Sequence, residues 1–156
     1  MKRYHQGLGA IEVVIGAAII LAGLLALIGA YTTYVQYAFA NQKNVQASYL
    51  MEEGLEAMTF LRDKGWTTYI APLASSTDYY MVFTGGFWQT TTTPQYVDGE
   101  FLRKIIIGEV KRDGSDKISD SGTVDTNIKK ITVIIDYFQG KATTTKSVST
   151  YITNLY

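Results

Sequence analysis

Gly7-Leu8-Gly9-Ala10-Ile11-Glu12, followed by residues 13–30, is the stretch that decides how this chain is read. Residues 13–30 form an 18-residue run without a charge, and the next charged residue after Glu12 is Lys43. A helix of about 20 apolar residues crosses the hydrocarbon core of a bilayer, so the run predicts a membrane span. One carboxylate sits just inside its start. An ionisable group in a membrane helix is costly and is as a rule kept only with a partner.

No basic residue in the run supplies that partner. Lys2 and Arg3 lie ten and nine residues upstream, out of helical register with Glu12 and near the headgroups. A cut after Gly7 would give Leu8 a new α-amino group, a cation at neutral pH. Glu12 of the same chain is four residues away on one helix face. Glu12 of a neighbouring copy would reach it if two helices packed with a small axial stagger. Either pairing lowers the cost of burying both charges. The staggered one also sets a repeat, because a head-to-tail contact that does not close makes a filament.

Two plainer readings compete. A cleaved secretory signal has an apolar core of about 7–15 residues ending at a small-residue site, and this run is longer with an acid at its head. An ordinary single-span anchor would carry Glu12 at the interface by accident.

Lys2-Arg3, Gly7, then Leu8-Gly9-Ala10-Ile11-Glu12 and the long apolar run resemble the type IV prepilins and pseudopilins. In that family a short basic leader ends in Gly, the mature chain begins with an apolar residue, and its fifth residue is Glu. Here these positions are Gly7, Leu8 and Glu12. Leu8 stands where the family very often has Phe, and Gly9-Ala10 where Thr-Leu is more usual. The likeness is close over residues 2 to about 30 and looser beyond.

The resemblance implies a structural subunit. A prepilin peptidase would cut between Gly7 and Leu8, the Leu8 amine would be methylated, and Glu12 would serve assembly. An assembly platform would then move subunits from the lipid membrane into a homo-oligomeric filament that includes other pilins. The protein would sit in the cytoplasmic membrane and then in an extracellular or periplasmic filament.

Removing the leader (1–7) and the membrane or filament-core part of the helix (8–30) leaves about 125 residues, enough for one small domain. These divide into a soluble half of the helix, 31–65, and a β-rich part, 66–156. Without Lys2 and Arg3 the chain carries 12 basic and 14 acidic residues, a net charge of −2. No basic stripe points to nucleic acid, only isolated Lys111-Arg112 and Lys129-Lys130 pairs. There is no cysteine, which excludes disulfides and thiolate metal sites. Twelve tyrosines and many threonines indicate exposed β structure. Lys2 and Arg3 place the N-terminus in the cytoplasm and residues after about 31 outside.

The long helix is expected from residue 8 to about 64. No proline interrupts it, and Gly65 is a common kind of helix stop. Its length, about 85 Å, exceeds any bilayer. Asn41-Gln42-Lys43-Asn44 marks where it leaves lipid. Met51, Leu55, Met58 and Leu61 form an apolar stripe at helical spacing, expected to pack on a sheet. Gly16, Gly23 and Gly29 lie among several alanines in the span, small residues that let helices approach closely in lipid.

Beyond Gly65 the alternation of apolar residues predicts strands over 79–83, 101–110, 130–137 and 143–156. Residues 84–86, 90–94 and 111–125 read as turns or loops. Consecutive strands with short turns predict an antiparallel sheet of three or four strands with one face on the helix. The fold class is therefore α+β, a long N-terminal helix packed on a small antiparallel sheet in pilin-like fashion.

No enzyme is apparent. The only histidine, His5, lies in the leader, so no serine has a base to activate it. Phosphate-loop and dinucleotide glycine patterns are missing. Asp113, Asp116, Asp120 and Asp125 are weak calcium candidates, since hard cations take oxygen ligands, but their spacing fits no EF-hand. Trp66, Phe87, Trp88 and the tyrosines are expected in the core or in subunit contacts, with an adhesive face as the alternative.

Overall fold

The computed structural model describes residues 9–75, 77–140 and 142–155. Helix α1 spans Ala10–Lys64 and is followed by a single-turn helix α2, Trp66–Tyr69. Seven strands follow: β1 (Asp78–Thr84), β2 (Phe87–Thr91), β3 (Tyr96–Val97), β4 (Phe101–Arg112), β5 (Ile118–Ser119), β6 (Thr123–Gln139) and β7 (Ala142–Thr153). The long helix packed on a small antiparallel sheet is as expected; the strand number is higher.

The chain divides into two units, one up to Gln42 and one from Lys43 onward. Residues 31–42 thus go with the apolar half of α1, and residues 43–64 with the sheet. In the first unit α1 is continuous and exposed along nearly its whole surface.

In the second unit, α1 buries Ala47, Gly54, Ala57, Met58 and Leu61. Leu50, Met51 and Leu55 flank this line and are half-buried. The expected Met/Leu stripe is therefore its rim as much as its centre. Small residues, Ala47, Gly54 and Ala57, share the buried line with Met58 and Leu61. A Cβ at Gly54 would stand 2.9 Å from Val133 Cγ1 and 3.3 Å from Arg103 Cδ, so helix and sheet touch there at backbone range. The helix stops at Gly65, whose φ of 157° is one L side chains rarely adopt. Its N–H donates to the Leu61 and Arg62 carbonyls at 3.2 Å, closing the last turn.

The sheet has the order β2-β1-β4-β6-β7, with β3 and β5 also paired to β4. Strand β6 runs the length of one edge of β4, and short segments of β3, β1 and β5 share the other. Side chains alternate between faces along a strand. Phe101, Arg103, Ile105 and Ile107 of β4 and Ile131, Val133, Ile135 and Tyr137 of β6 are accordingly buried. They meet α1, with Trp66, Ile70 and Leu73 from the segment after it, in one core.

Two expected loops are partly strand. Residues 87–91, read in part as a turn, form β2, which pairs with β1 around a tight Gly85-Gly86 turn at φ of 63° and 84°. Within the expected loop 111–125, β4 runs on to Arg112 and β6 begins at Thr123, so Arg112 pairs with Thr123. Glu109 pairs with Lys129 and Val110 with Asp125, leaving residues 126–128 of β6 without opposite numbers on β4. The irregularity increases local twist and bends the strand.

Candidate membrane and assembly site

The expected cleavage site, Gly7 and Leu8, lies outside the described residues. At the edge of the described chain, Gly9 precedes the first turn of α1. Its carbonyl accepts the N–H groups of Glu12 at 2.9 Å and Val13 at 3.4 Å. Its own N–H donates to Glu12 Oε2 at 3.0 Å. This is half of a capping box: an acid three residues into a helix turns back to satisfy one orphan N–H. The carboxylate also lies at the positive end of the helix dipole. Glu12 is exposed, and the spacing Gly9-x-x-Glu12 was the sequence signal for this second role.

Beyond Glu12 the described residues leave the helix uncovered. The most apolar 18-residue window of α1 has a mean hydropathy of 2.7, and none of it is buried. Ile11 is 71% exposed, Ile19 67% and Leu27 67%. A Cβ added at Gly16, Gly23 or Gly29 would meet nothing within 4 Å, so the small size of these residues answers to no contact within the chain. Among the described residues, α1 is one helix long and apolar enough to cross a membrane.

Lys43, the first charge after Glu12, opens the second unit. Its Nζ lies 2.9 Å from Glu100 Oε2 and donates to the Phe138 carbonyl at 3.3 Å. One residue on, Asn44 Oδ1 accepts the Tyr137 hydroxyl at 2.6 Å. Burial pushes the Tyr137 phenol up from its ordinary value.

The four aspartates named as calcium candidates do not gather. Asp113 Oδ1 accepts the N–H groups of Ser115 at 2.8 Å and Lys117 at 3.0 Å, shaping its own turn. Asp125 accepts from Arg112 Nε at 2.7 Å, and Asp116 Oδ1 lies 3.5 Å from the same nitrogen. The Asp116 carbonyl accepts from Arg112 Nη1 at 2.6 Å. The cation among these acids is thus the Arg112 guanidinium. Its hydrogen bond, and then that of the Asn127 N–H, hold the Asp125 carboxyl below the usual carboxylate value. Asp120 makes no ion pair within 4 Å among the described residues. Among the described residues, no three His, Asp or Glu side chains are placed to hold a metal ion.

One charged pair went unnoticed in the sequence. Arg103, on the core face of β4, is only 3% exposed. Its Nη1 donates to Glu53 Oε2 at 2.5 Å and to the Leu50 carbonyl at 3.3 Å, and its guanidinium lies 5.1 Å from the centre of the Trp88 ring. Its Nε has no hydrogen-bond partner among the described residues. Parity with Ile105 and Ile107 was the signal that would have turned it inward. Of the aromatics expected in the core, the tryptophans and Phe87 pack within the fold, whereas Tyr31, Tyr34, Tyr37, Tyr49, Tyr96 and Tyr151 are exposed. Trp66 is buried, Trp88 packs on the core, and Phe87 takes the Lys64 ammonium 2.9 Å from its ring centre.

No family model matches the chain, and no curated protein or solved structure is found similar to it.

Proposed function

We propose that this chain is a structural subunit of a type IV pilus-like filament, a pilin or pseudopilin, cut after Gly7 and assembled through α1. The observation that carries the reading is a wholly uncovered apolar helix with a single acid in its first turn, continuous with a sheet-bearing unit. Apolar surface on this scale requires lipid or other copies of the same helix. Gly16, Gly23 and Gly29, unused within the chain, suit close helix contacts in either setting.

In this reading Lys2 and Arg3 hold the N-terminus on the cytoplasmic side of the cytoplasmic membrane. Prepilin peptidase frees the Leu8 amine, which is methylated, and the assembly platform draws the span out of lipid into the filament core. Glu12 then exchanges its bond to Gly9 for the amine of the adjacent copy. Filament partners are other copies and other pilins; no nucleic acid and no catalysis enter.

A second reading, a single-span tether that never polymerises, is favoured by the Gly9–Glu12 hydrogen bond, which already gives the acid a donor inside its own chain. Mass spectrometry of the N-terminus of protein from its native membrane separates the two. A chain beginning at Leu8 supports the subunit; a chain beginning at Met1 or Lys2 supports the tether. Glu12→Ala is expected to leave insertion intact and abolish sheared surface filaments, and normal filaments from that variant would refute the pairing.

A further inference from the structure

We infer that Tyr31, Tyr34 and Tyr37 form a belt that seats in the phospholipid headgroup layer and fixes how deep α1 sits in the membrane. The inference rests on the membrane-span part of the reading above, and not on cleavage or polymerisation.

The first observation is exposure without partners. The three rings are 69%, 72% and 69% exposed. None of their hydroxyls has a hydrogen-bond partner among the described residues. The neighbouring threonines differ. Thr32 and Thr33 hydroxyls both donate to the Gly29 carbonyl at 2.9 Å, so they are satisfied without water. A tyrosine with a bare ring and an unmet hydroxyl fits a medium apolar on one side and wet on the other.

The second observation is position. Tyr31 lies 19 residues after Glu12, about 29 Å along a helix, close to the roughly 30 Å of a hydrocarbon core. Lys43 lies 31 residues after Glu12, about 46 Å, beyond the outer headgroups, which end about 35–38 Å from a core edge set at Glu12. Tyr31, Tyr34 and Tyr37 thus fall in the outer headgroup zone, between the end of the oil and the first lysine. At spacings of three they step around one side of α1, and Phe39, also exposed, lies on another. Tyr is enriched at that level because its ring is held by the interface and its hydroxyl by water or phosphate.

The chain has no cysteine, so a single label carries no background. Gln36→Cys in the full, uncut chain, labelled with an environment-sensitive fluorophore, is reconstituted in phosphatidylcholine vesicles carrying a nitroxide at the headgroup or deep in the acyl chain. The headgroup nitroxide is expected to quench several-fold more than the deep one. Adding Tyr31→Ala, Tyr34→Ala and Tyr37→Ala is expected to bring that ratio toward one. Equal or stronger deep quenching, or an unchanged ratio in the triple variant, overturns the belt. Absence of quenching by either nitroxide, together with copy-to-copy crosslinking at Cys-substituted position 36, assigns the face to helix packing and also overturns it. Because the uncut chain is used, a failed N-terminal cleavage leaves this outcome independent.

Discussion

Gly54 and Arg103 carry the tightest geometry between α1 and the sheet. Glycine inside a helix costs about 1 kcal/mol relative to alanine, so Gly54→Ala would stabilise an open helix. Here the new methyl meets Val133 Cγ1 at 2.9 Å in a packed core, where overfilling costs about 1–3 kcal/mol. Gly54→Ala is therefore expected to lower stability by about 1 kcal/mol in spite of its propensity. Thermal unfolding checks the sign; a raised midpoint would refute the close approach. Arg103 presents the opposite problem, a charge 3% exposed beside a carboxylate whose side chain is 43% exposed. Removing the carboxylate strands the buried cation, whereas removing the cation leaves a carboxylate that water already reaches. Glu53→Ala is expected to cost more stability than Arg103→Met, by about 2 kcal/mol, in urea unfolding at neutral pH. The reverse order would mean that the contact with Trp88, and not the ion pair, holds the guanidinium.

Among the elements, those with a strong period could be read directly. Alternation marks β4 and β6, and the absence of proline carries α1 to Gly65. β2 has no such period: all five of its residues are half-buried, so no face stands out, and its two threonines resemble loop. The small residues Ala47, Gly54 and Ala57 escaped because apolar stripes are recognised by large side chains, while close packing is made by small ones. Gly9-x-x-Glu12 carries the spacing of a cap, but a helix expected from residue 8 leaves no place for one, and the aspartate loop offers no such spacing. Nothing local shows that Arg112, at the end of β4, turns back on Asp116 and Asp125. That pair closes the β4–β6 hairpin and makes its stability depend on pH. The folded Asp125 pKa is depressed. Its contribution is therefore present above the unfolded carboxylate value, about 4, and is lost as pH falls through the lower folded value. Asp125→Asn keeps an oxygen for the Asn127 N–H and removes the charge. The variant is expected to unfold at lower denaturant than the parent at pH 7, with the gap narrowing at pH 3 and below. A constant gap would assign the loss to shape and not to charge.

The molecule joins a unit that lacks a core to one that has its own. Every residue of the buried cluster falls between Ala47 and Ile152, and the first unit ends at Gln42. The Lys43–Glu100 and Asn44–Tyr137 contacts tie the beginning of the second unit to its own sheet strands and turns. The buried cluster includes no residue up to Gln42, and a helix that starts at Lys43 loses only its upstream turns. The apolar half is the reverse: a lone helix is marginal in water, and this one exposes its hydrophobic side chains throughout. A chain cut to residues 43–156 is expected to be monomeric without detergent, to melt cooperatively, and to keep the order of stabilities among the Gly54, Glu53 and Arg103 variants. The full chain is expected to need detergent or lipid to stay dispersed. Circular dichroism and gel filtration of both chains test this together. A non-cooperative 43–156 would mean that the upstream helix is required to nucleate the sheet-bearing unit. A full chain monomeric in plain buffer would mean that the uncovered helix finds shelter within its own molecule, removing the drive toward lipid or neighbouring copies on which both functional readings depend.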